Sequence, residues 1–277
     1  MQRLAKSFGK FMSAHVIHLP YSEKRAKRIM ELCMNDDPKE ALSAFVTNFI
    51  PTRGEAEDYA ELEKNSSPLM AMINSQQLDQ DYHPLSSTGG IEKDEEGKVI
   101  EKYKLLLMAD ENLLHNVIAK NTKRGIFSVS SIMTNVSDCV AFKGSRYGII
   151  EKGVKAYFGG DYIIALHLLI PQIENAIRLI YEQNGGLVIK GHKYGKQLEN
   201  LDNVLKSDQI KTFFSEDGAF YLKNLLSDMR SMNLRNSICH GLMEETEMEW
   251  NVADRILHAL LFVCSTKMKR CEKYAML

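Results

Sequence analysis

Apolar residues recur along this chain mainly at helical spacing, and the alternation that marks half-buried strands is confined to short runs. The pattern predicts helices over 22–34 and 38–49. Between them, Asn35-Asp36-Asp37-Pro38 supplies a turn, and a proline suits a first helical turn because its missing N–H would have no partner there. Residues 52–80 are predicted helical in part, with Ser67-Pro68 opening a second piece. The stretch 83–98, which holds His83-Pro84, Ser86-Ser87-Thr88-Gly89-Gly90 and an acidic run, predicts an exposed loop or hairpin. Helices resume over 104–120 and near 128–141.

Two glycines and small polar residues at 143–148 interrupt the pattern and mark the best domain boundary. Beyond it the spacing predicts helices over 148–158, 162–183, from 194 or 197 to 206 with a short piece after it, 218–233 continued or restarted at 234–243, and 251–271. Asn184-Gly185-Gly186 is a stop for the longest of these, since glycine takes up the left-handed C′ conformation cheaply. Pro171 removes a backbone donor inside the same helix and is expected to bend it. The expectation is an all-α fold: a smaller, mostly helical N-terminal region over 1–143 and an antiparallel helical bundle over 144–277.

Composition narrows the function classes. The chain has 277 residues, 44% of them hydrophobic and 26% charged, which is ordinary for a globular protein. Lys plus Arg number 35 against 36 Asp plus Glu, so no global field draws nucleic acid and any RNA site must be local. Cys33, Cys139, Cys239, Cys264 and Cys271 form no C-x-x-C pair and leave one over, which fits a reducing cytosol better than a disulfide framework or a zinc site. The N-terminal residues lack a continuous apolar core followed by a small-residue cleavage site, so no secretory signal is expected. The most apolar stretch, 162–180, is broken by His167, Pro171, Gln172, Glu174, Asn175 and Arg178, which argues against a membrane span. A cytoplasmic location follows.

The chemistry gathers at Arg235-Asn236-Ser237-Ile238-Cys239-His240. A guanidinium holds phosphate through a planar fork of donors, and imidazole is the side chain whose ordinary pKa suits proton transfer near neutrality. An Arg, four residues and a His, with Gly241 next, resembles the catalytic signature of the HEPN superfamily (higher eukaryotes and prokaryotes nucleotide-binding), many of whose members are metal-independent ribonucleases. The longer run Asn233-Leu234-Arg235-Asn236-Ser237-Ile238-Cys239-His240-Gly241-Leu242, preceded by His167-Leu168-Leu169-Ile170-Pro171-Gln172-Ile173-Glu174-Asn175-Ala176-Ile177-Arg178, is similar to a bacterial branch of that superfamily. The resemblance covers 151–277 and implies a HEPN-type helical bundle, a homodimer in which two motifs converge, and a role as a toxin or an effector of antiviral defence.

On an ideal helix five residues subtend about 140°, so Arg235 and His240 do not share a narrow face, whereas Asn236 and His240, at i and i+4, do. A composite site is easier to build if the segment starts or distorts a helix, or if two chains each supply Arg and His. Small residues at Ser237, Cys239 and Gly241 would let a partner helix approach. The implied reaction is attack by a ribose 2′-hydroxyl on the adjacent phosphate, with His240 as general base or acid, Arg235 stabilising the growing charge and Asn236 orienting the imidazole or the phosphate.

Each of these residues has a plainer reading. An Arg and a His on one helix are more often a surface charge and a satisfied imidazole than a catalytic pair; only the flanking runs favour a site. Glu174 and Arg178 stand at i and i+4, so an ion pair is expected, with orientation of Arg235 an accessory role for Glu174. His167 is expected to be a core histidine bonded to a carbonyl. Lys190, His192, Lys193 and Lys196 surround Tyr194 in a basic and aromatic patch; Lys190, Lys193 and Tyr194 are the candidates to guide a single strand. The acidic run Glu244, Glu245, Glu247 and Glu249 either repels phosphate or forms a solvated turn, and Lys267, Lys269, Arg270 and Lys273 suit a solvated helix end. His15 and His18 belong to no H-E-x-x-H or Cys/His spacing, and no glycine-rich phosphate loop occurs, so no metal and no cofactor are expected. The expected function is a metal-independent endoribonuclease with an RNA substrate and room for a regulatory partner protein; the alternative is a non-catalytic scaffold that dimerises or binds nucleotide or nucleic acid.

Overall fold

The computed structural model describes residues 23–78, 84–142, 144–192 and 195–265. Its helices in the first half are α1 (Glu23–Cys33), α2 (Pro38–Asn48), α3 (Arg53–Ser66), α4 (Pro68–Met72), α5 (Glu95–Ala109), α6 (Glu111–Lys123) and α7 (Val129–Asp138). In the second half come α8 (Tyr147–Phe158), α9 (Tyr162–Gln183), α10 (Leu201–Lys206), α11 (Asp208–Phe214), α12 (Glu216–Leu226), α13 (Leu234–Cys239) and α14 (Trp250–Ser265). The only strands among the described residues form two antiparallel hairpins, β1 (Ser75–Leu78) with β2 (Pro84–Thr88) and β3 (Ile189–His192) with β4 (Gly195–Leu198). The fold is all-α, as expected.

Local chemistry sets the helix starts. Asp37 accepts from the Lys39 N–H ahead of Pro38, Thr52 and Glu55 form a reciprocal capping box, and Asp161 accepts from the Ile164 N–H to open α9. The longest helix stops at the expected place: Asn184 is its C-cap and Gly185 follows with φ +88°. The helical run continues through Pro171. Three expectations needed correction. The helix expected from 194 or 197 to 206 is strand β4 up to Leu198 and helical only from Leu201, where Asn200 caps the Asp202 N–H. A helix was expected to start at 104, but α5 begins at Glu95 because the Asp94 carboxylate caps the Gly97 N–H, and Asp110 separates α5 from α6. The helix expected over 218–233 ends at Leu226, and the chain restarts at Leu234. The expected helix tail at 266–271 and its basic residues lie outside the described residues, as do His15 and His18.

α9 and α14 form the axis of the core. A close approach brings α8 onto α9: a Cβ on Gly153 would lie 2.7 Å from the Leu169 Cδ2, so only glycine fits without repacking. By length and composition α9 could cross a bilayer, yet half of its apolar window is buried inside this bundle, so it serves as a core helix. α14 is buried on every side from Val252 to Val263 and packs on α2, α6 and α7 as well as on α9. The expected boundary at 143/144 therefore does not interrupt the core, which draws on helices from both sides of it.

That burial carries polar groups with it. Arg255 is fully buried and donates to the carbonyls of Phe49 (3.2 Å) and Leu107. His258, also fully buried, has Nε2 3.2 Å from the Val46 carbonyl and Nδ1 2.7 Å from the Tyr221 hydroxyl, an arrangement a neutral ring satisfies on both nitrogens. Asp254 takes the Tyr157 hydroxyl on one oxygen and His115 Nδ1 at 2.9 Å on the other. Burial, with the nearby Arg255 charge, pushes the His258 imidazole down to about 3. An unfolded histidine binds a proton near pH 6.5, so the unfolded state gains protons first and native stability is lost as pH falls. The expected slope is about 1.4 kcal/mol per pH unit below about pH 6.5. Urea unfolding at intervals from about pH 7 to pH 5 reads this directly, and a flat profile would mean that His258 is not held neutral.

Candidate functional site

The segment that carries the motif is positioned by α12. Met232 and Asn233 both donate their backbone N–H to the Asn224 carbonyl, at 3.1 and 3.4 Å, which fastens the loop after α12 back onto that helix. Asn233 then adopts φ 50°, ψ 31°, a left-handed conformation that Asn accepts more readily than most side chains. α13 follows, with Arg235 in its first turn and His240 just past its end at φ −99°, ψ 2°. Gly241, at φ +68°, reverses the chain, and Leu242 N–H closes onto the Ser237 carbonyl at 2.7 Å. His240 follows the last residue of α13 and its N–H still donates to the Asn236 carbonyl at 3.1 Å, so the helical spacing that separates it from Arg235 persists.

Arg235 is held on two sides. Its Nε donates to Glu174 Oε2 at 2.7 Å and its Nη2 to Glu174 Oε1 at 3.2 Å, while Nη1 donates to Asn236 Oδ1 at 2.8 Å. Three of the five guanidinium N–H groups are thus used, and two have no partner among the described residues. Asn236 in turn donates to Asn233 Oδ1 at 2.7 Å. The expected role was to orient the imidazole or the phosphate; in the structure its carbonyl oxygen accepts from Arg235, so it orients the guanidinium. Glu174 also accepts from Arg178, at 3.0 Å from Nε and 2.7 Å from Nη2, so one carboxylate serves two arginines. Burial alone would push the Glu174 carboxyl up; hydrogen bonds from Arg235 and Arg178 outweigh it and hold the group below the usual carboxylate range. The structural and accessory roles expected for Glu174 coexist.

These side chains face a cavity of about 1170 Å³. Arg235, Asn236 and His240 line it together with Glu174 and Arg178 of α9, so the motif and the earlier apolar run meet in one place within a single chain. Asp228 and Arg230, which sequence reasoning passed over, form another wall. Asp228 Oδ2 accepts from Lys223 at 2.8 Å, and Oδ1 from the Arg230 Nε at 3.1 Å. Burial opposes the charge on Asp228, but the hydrogen bonds from Arg230 and Lys223 prevail and bring its carboxyl down to about 2. Further walls come from Ser86 and Ser87 on β2, from Lys196, Gln197 and Leu198 on β4, and from the segment after it, where Glu199 and Asp202 add two carboxylates and Lys206 a cation.

Other expected residues fall elsewhere. Lys190 is not on the cavity; its ammonium pairs with Glu199, whose carboxyl is lowered first by that contact and then by Asn203. A phosphate would have to displace Glu199 to reach it. Lys193 and Tyr194 lie outside the described residues. His167 does bond a carbonyl, with Nδ1 2.8 Å from Ile163 O, but it is exposed and not in the core. The acidic run is an exposed turn in which Glu244 and Glu247 cap each other, off the cavity. Among the described residues no group of three His, Cys, Asp or Glu side chains is placed to hold a metal ion.

The chain matches no family model, no curated protein and no solved structure. Its chemistry is therefore read from the cavity itself. That cavity is lined by a pre-oriented guanidinium with spare donors and by an exposed imidazole whose ring has no hydrogen-bond partner among the described residues. The neighbouring Cys239 thiol is pushed up by burial, which the Arg235 charge offsets only in part, so it is a poor nucleophile.

Proposed function

We propose that this cavity cleaves RNA without a metal, by the transesterification that the HEPN resemblance implies. The observation that carries the reading is that Arg235, locked by Glu174 and Asn236, lines the same cavity as the exposed His240. A ribose 2′-oxygen attacks the adjacent phosphorus as His240 removes its proton, a P–O2′ bond forms and the P–O5′ bond breaks. The spare Arg235 donors meet the charge that gathers on the non-bridging oxygens. The leaving 5′-oxygen takes a proton from water or from the imidazolium of a second copy, and the products are a 2′,3′-cyclic phosphate and a 5′-hydroxyl. Cys239 and Gly241 are exposed beside His240, which suits the homodimer that the resemblance implies. A toxin or antiviral effector working in a reducing cytoplasm, under a regulatory partner, is the setting that goes with it.

Purified full-length protein is expected to cut RNA in excess chelator, to leave cyclic phosphate ends and to spare DNA, which lacks the nucleophile. Mixing Arg235→Ala with His240→Ala protein separates the one-chain from the two-chain site, since only the latter regains cleavage by complementation. Intact RNA under every condition would sink the reading.

One observation favours a second reading. A catalytic imidazole is ordinarily oriented by a third group, and His240 has none among the described residues. A scaffold that binds nucleotide or nucleic acid without cutting it would need only the arginines, and it would retain RNA binding in a His240→Ala variant with no cleavage by the wild type.

A further inference from the structure

Both hairpins among the described residues border the same cavity, one from each half of the chain. The β1–β2 hairpin is fastened there: Gln77 Nε2 donates to the Arg230 carbonyl at 2.6 Å, Lys104 Nζ donates to Gln77 Oε1 at 3.1 Å, and Arg230 Nη1 lies 3.7 Å from Asp94. It presents Ser86, whose hydroxyl is buried and has no hydrogen-bond partner among the described residues. A desolvated hydroxyl without a partner is disfavoured, so a ligand group that bonded it would be held firmly. From the other side β4 presents Lys196, the one lining Lys or Arg with no carboxylate partner among the described residues; Arg178, Arg230, Arg235 and Lys206 are all paired. Leu198 and Met229 line the cavity as well, at 59% and 58% exposure. Large apolar side chains left bare beside a polar cleft fit flat apolar surface on a ligand.

We propose that the two hairpins clamp a single strand of RNA across the cavity, an inference that rests on the nuclease reading and names its substrate class. Lys196 holds a phosphate next to the one that Arg235 engages, the Ser86 hydroxyl bonds a sugar or base edge of the neighbouring nucleotide, and Leu198 and Met229 lie against base faces. In a duplex those faces are stacked on each other and out of reach, so the clamp selects unpaired RNA. The N-terminal half is then part of the substrate site. Ser86 and Lys196 act as positioning residues that take no part in the chemistry.

The test is fluorescence anisotropy on full-length His240→Ala protein with a labelled single-stranded oligoribonucleotide and the same strand annealed to its complement. Lys196→Ala is expected to weaken single-strand binding about tenfold and to lower the salt slope by about 1, as loss of one phosphate contact requires. Ser86→Ala is expected to weaken it about fivefold with the salt slope unchanged. With His240 restored, both substitutions raise KM more than they lower kcat. Equal affinity for duplex and single strand, or unchanged affinity in both variants, overturns the clamp whether or not the wild type cuts RNA. Dependence on Lys196 and Ser86 in a protein that never cuts would keep the clamp and remove the nuclease.

Discussion

Replacing His240 by Ala is expected to lower the single-turnover rate of RNA cleavage by about 10²–10⁴-fold, the usual contribution of a positioned acid or base. Its ring is exposed at the end of α13 and touches no buried partner, so the melting temperature should not move. Arg235→Ala is expected to lose at least as much, about 10²–10³-fold from lost stabilisation of the phosphoryl oxygens alone. It differs in stability, because Glu174 then keeps only Arg178. Arg235→Lys should not rescue it: a single ammonium cannot bond both oxygens of Glu174 and Asn236 while still presenting a planar edge to phosphate. Gel-resolved cleavage of an end-labelled RNA, with cyclic phosphate scored at the new ends, measures both variants. Undiminished cleavage by a folded His240→Ala protein would rule out the site.

The largest expected effect on stability comes from Glu174→Ala. That carboxylate has 13% exposure and holds two guanidinium groups, of which Arg178 is itself 10% exposed. Removing one partner from such a cluster leaves an uncompensated buried charge, a loss of about 3–5 kcal/mol. Glu174→Gln keeps the volume and one acceptor, so it should fold better, yet it no longer neutralises the arginines and should still cut slowly. Because the folded carboxyl is held below its ordinary value, the unfolded state binds its proton first as pH falls. The stabilisation is complete above about pH 4.5 and is lost as pH drops through the lower folded value. Denaturant unfolding should show the wild type losing more stability than Glu174→Gln below about pH 4.5, and the two curves should run parallel above it. Parallel curves throughout would mean that Glu174 carries no special charge role.

Much of the architecture was legible because it depends on local spacing. Asp37-Pro38, Thr52 with Glu55, Ser128 and the Asn184-Gly185 stop act through side chains a few residues away, and periodicity marked the helices they bound. The site was legible in part for the same reason: Glu174 and Arg178 are one helical turn apart and show as a pair. An orienting role of Glu174 toward Arg235, 61 positions on, was an expectation, but the two-point hold on the guanidinium depends on how α13 packs against α9, which spacing cannot give. Asp228 and Arg230 gave no pattern because they sit in a loop, and Ser86 looked like turn chemistry because nothing near it in sequence shows that a cavity lies opposite. Lys190 stood out as a cation, but its neutralising partner, Glu199, sits just past the end of β4, the strand that pairs with its own. Net charge was a fair guide, since the cleft is itself nearly balanced: Glu174, Glu199, Asp202 and Asp228 line it against Arg178, Lys196, Lys206, Arg230 and Arg235.

Arg255 has a consequence for how this protein can vary. Its guanidinium leaves the axis of the second half and ends on carbonyls of α5 and of the residue that ends α2, and His258, one turn on, ends on another carbonyl of α2. A backbone carbonyl is present whatever residue supplies it, so these joints survive almost any substitution in the first half but not its removal or its exchange for a different domain. The segment that carries Arg235 and His240 cannot be inherited as a cassette. Away from the β1–β2 hairpin, substitutions on the surface of residues 23–142 leave these joints intact, while insertions that shift the register of α2 or α5 against α14 would undo both together.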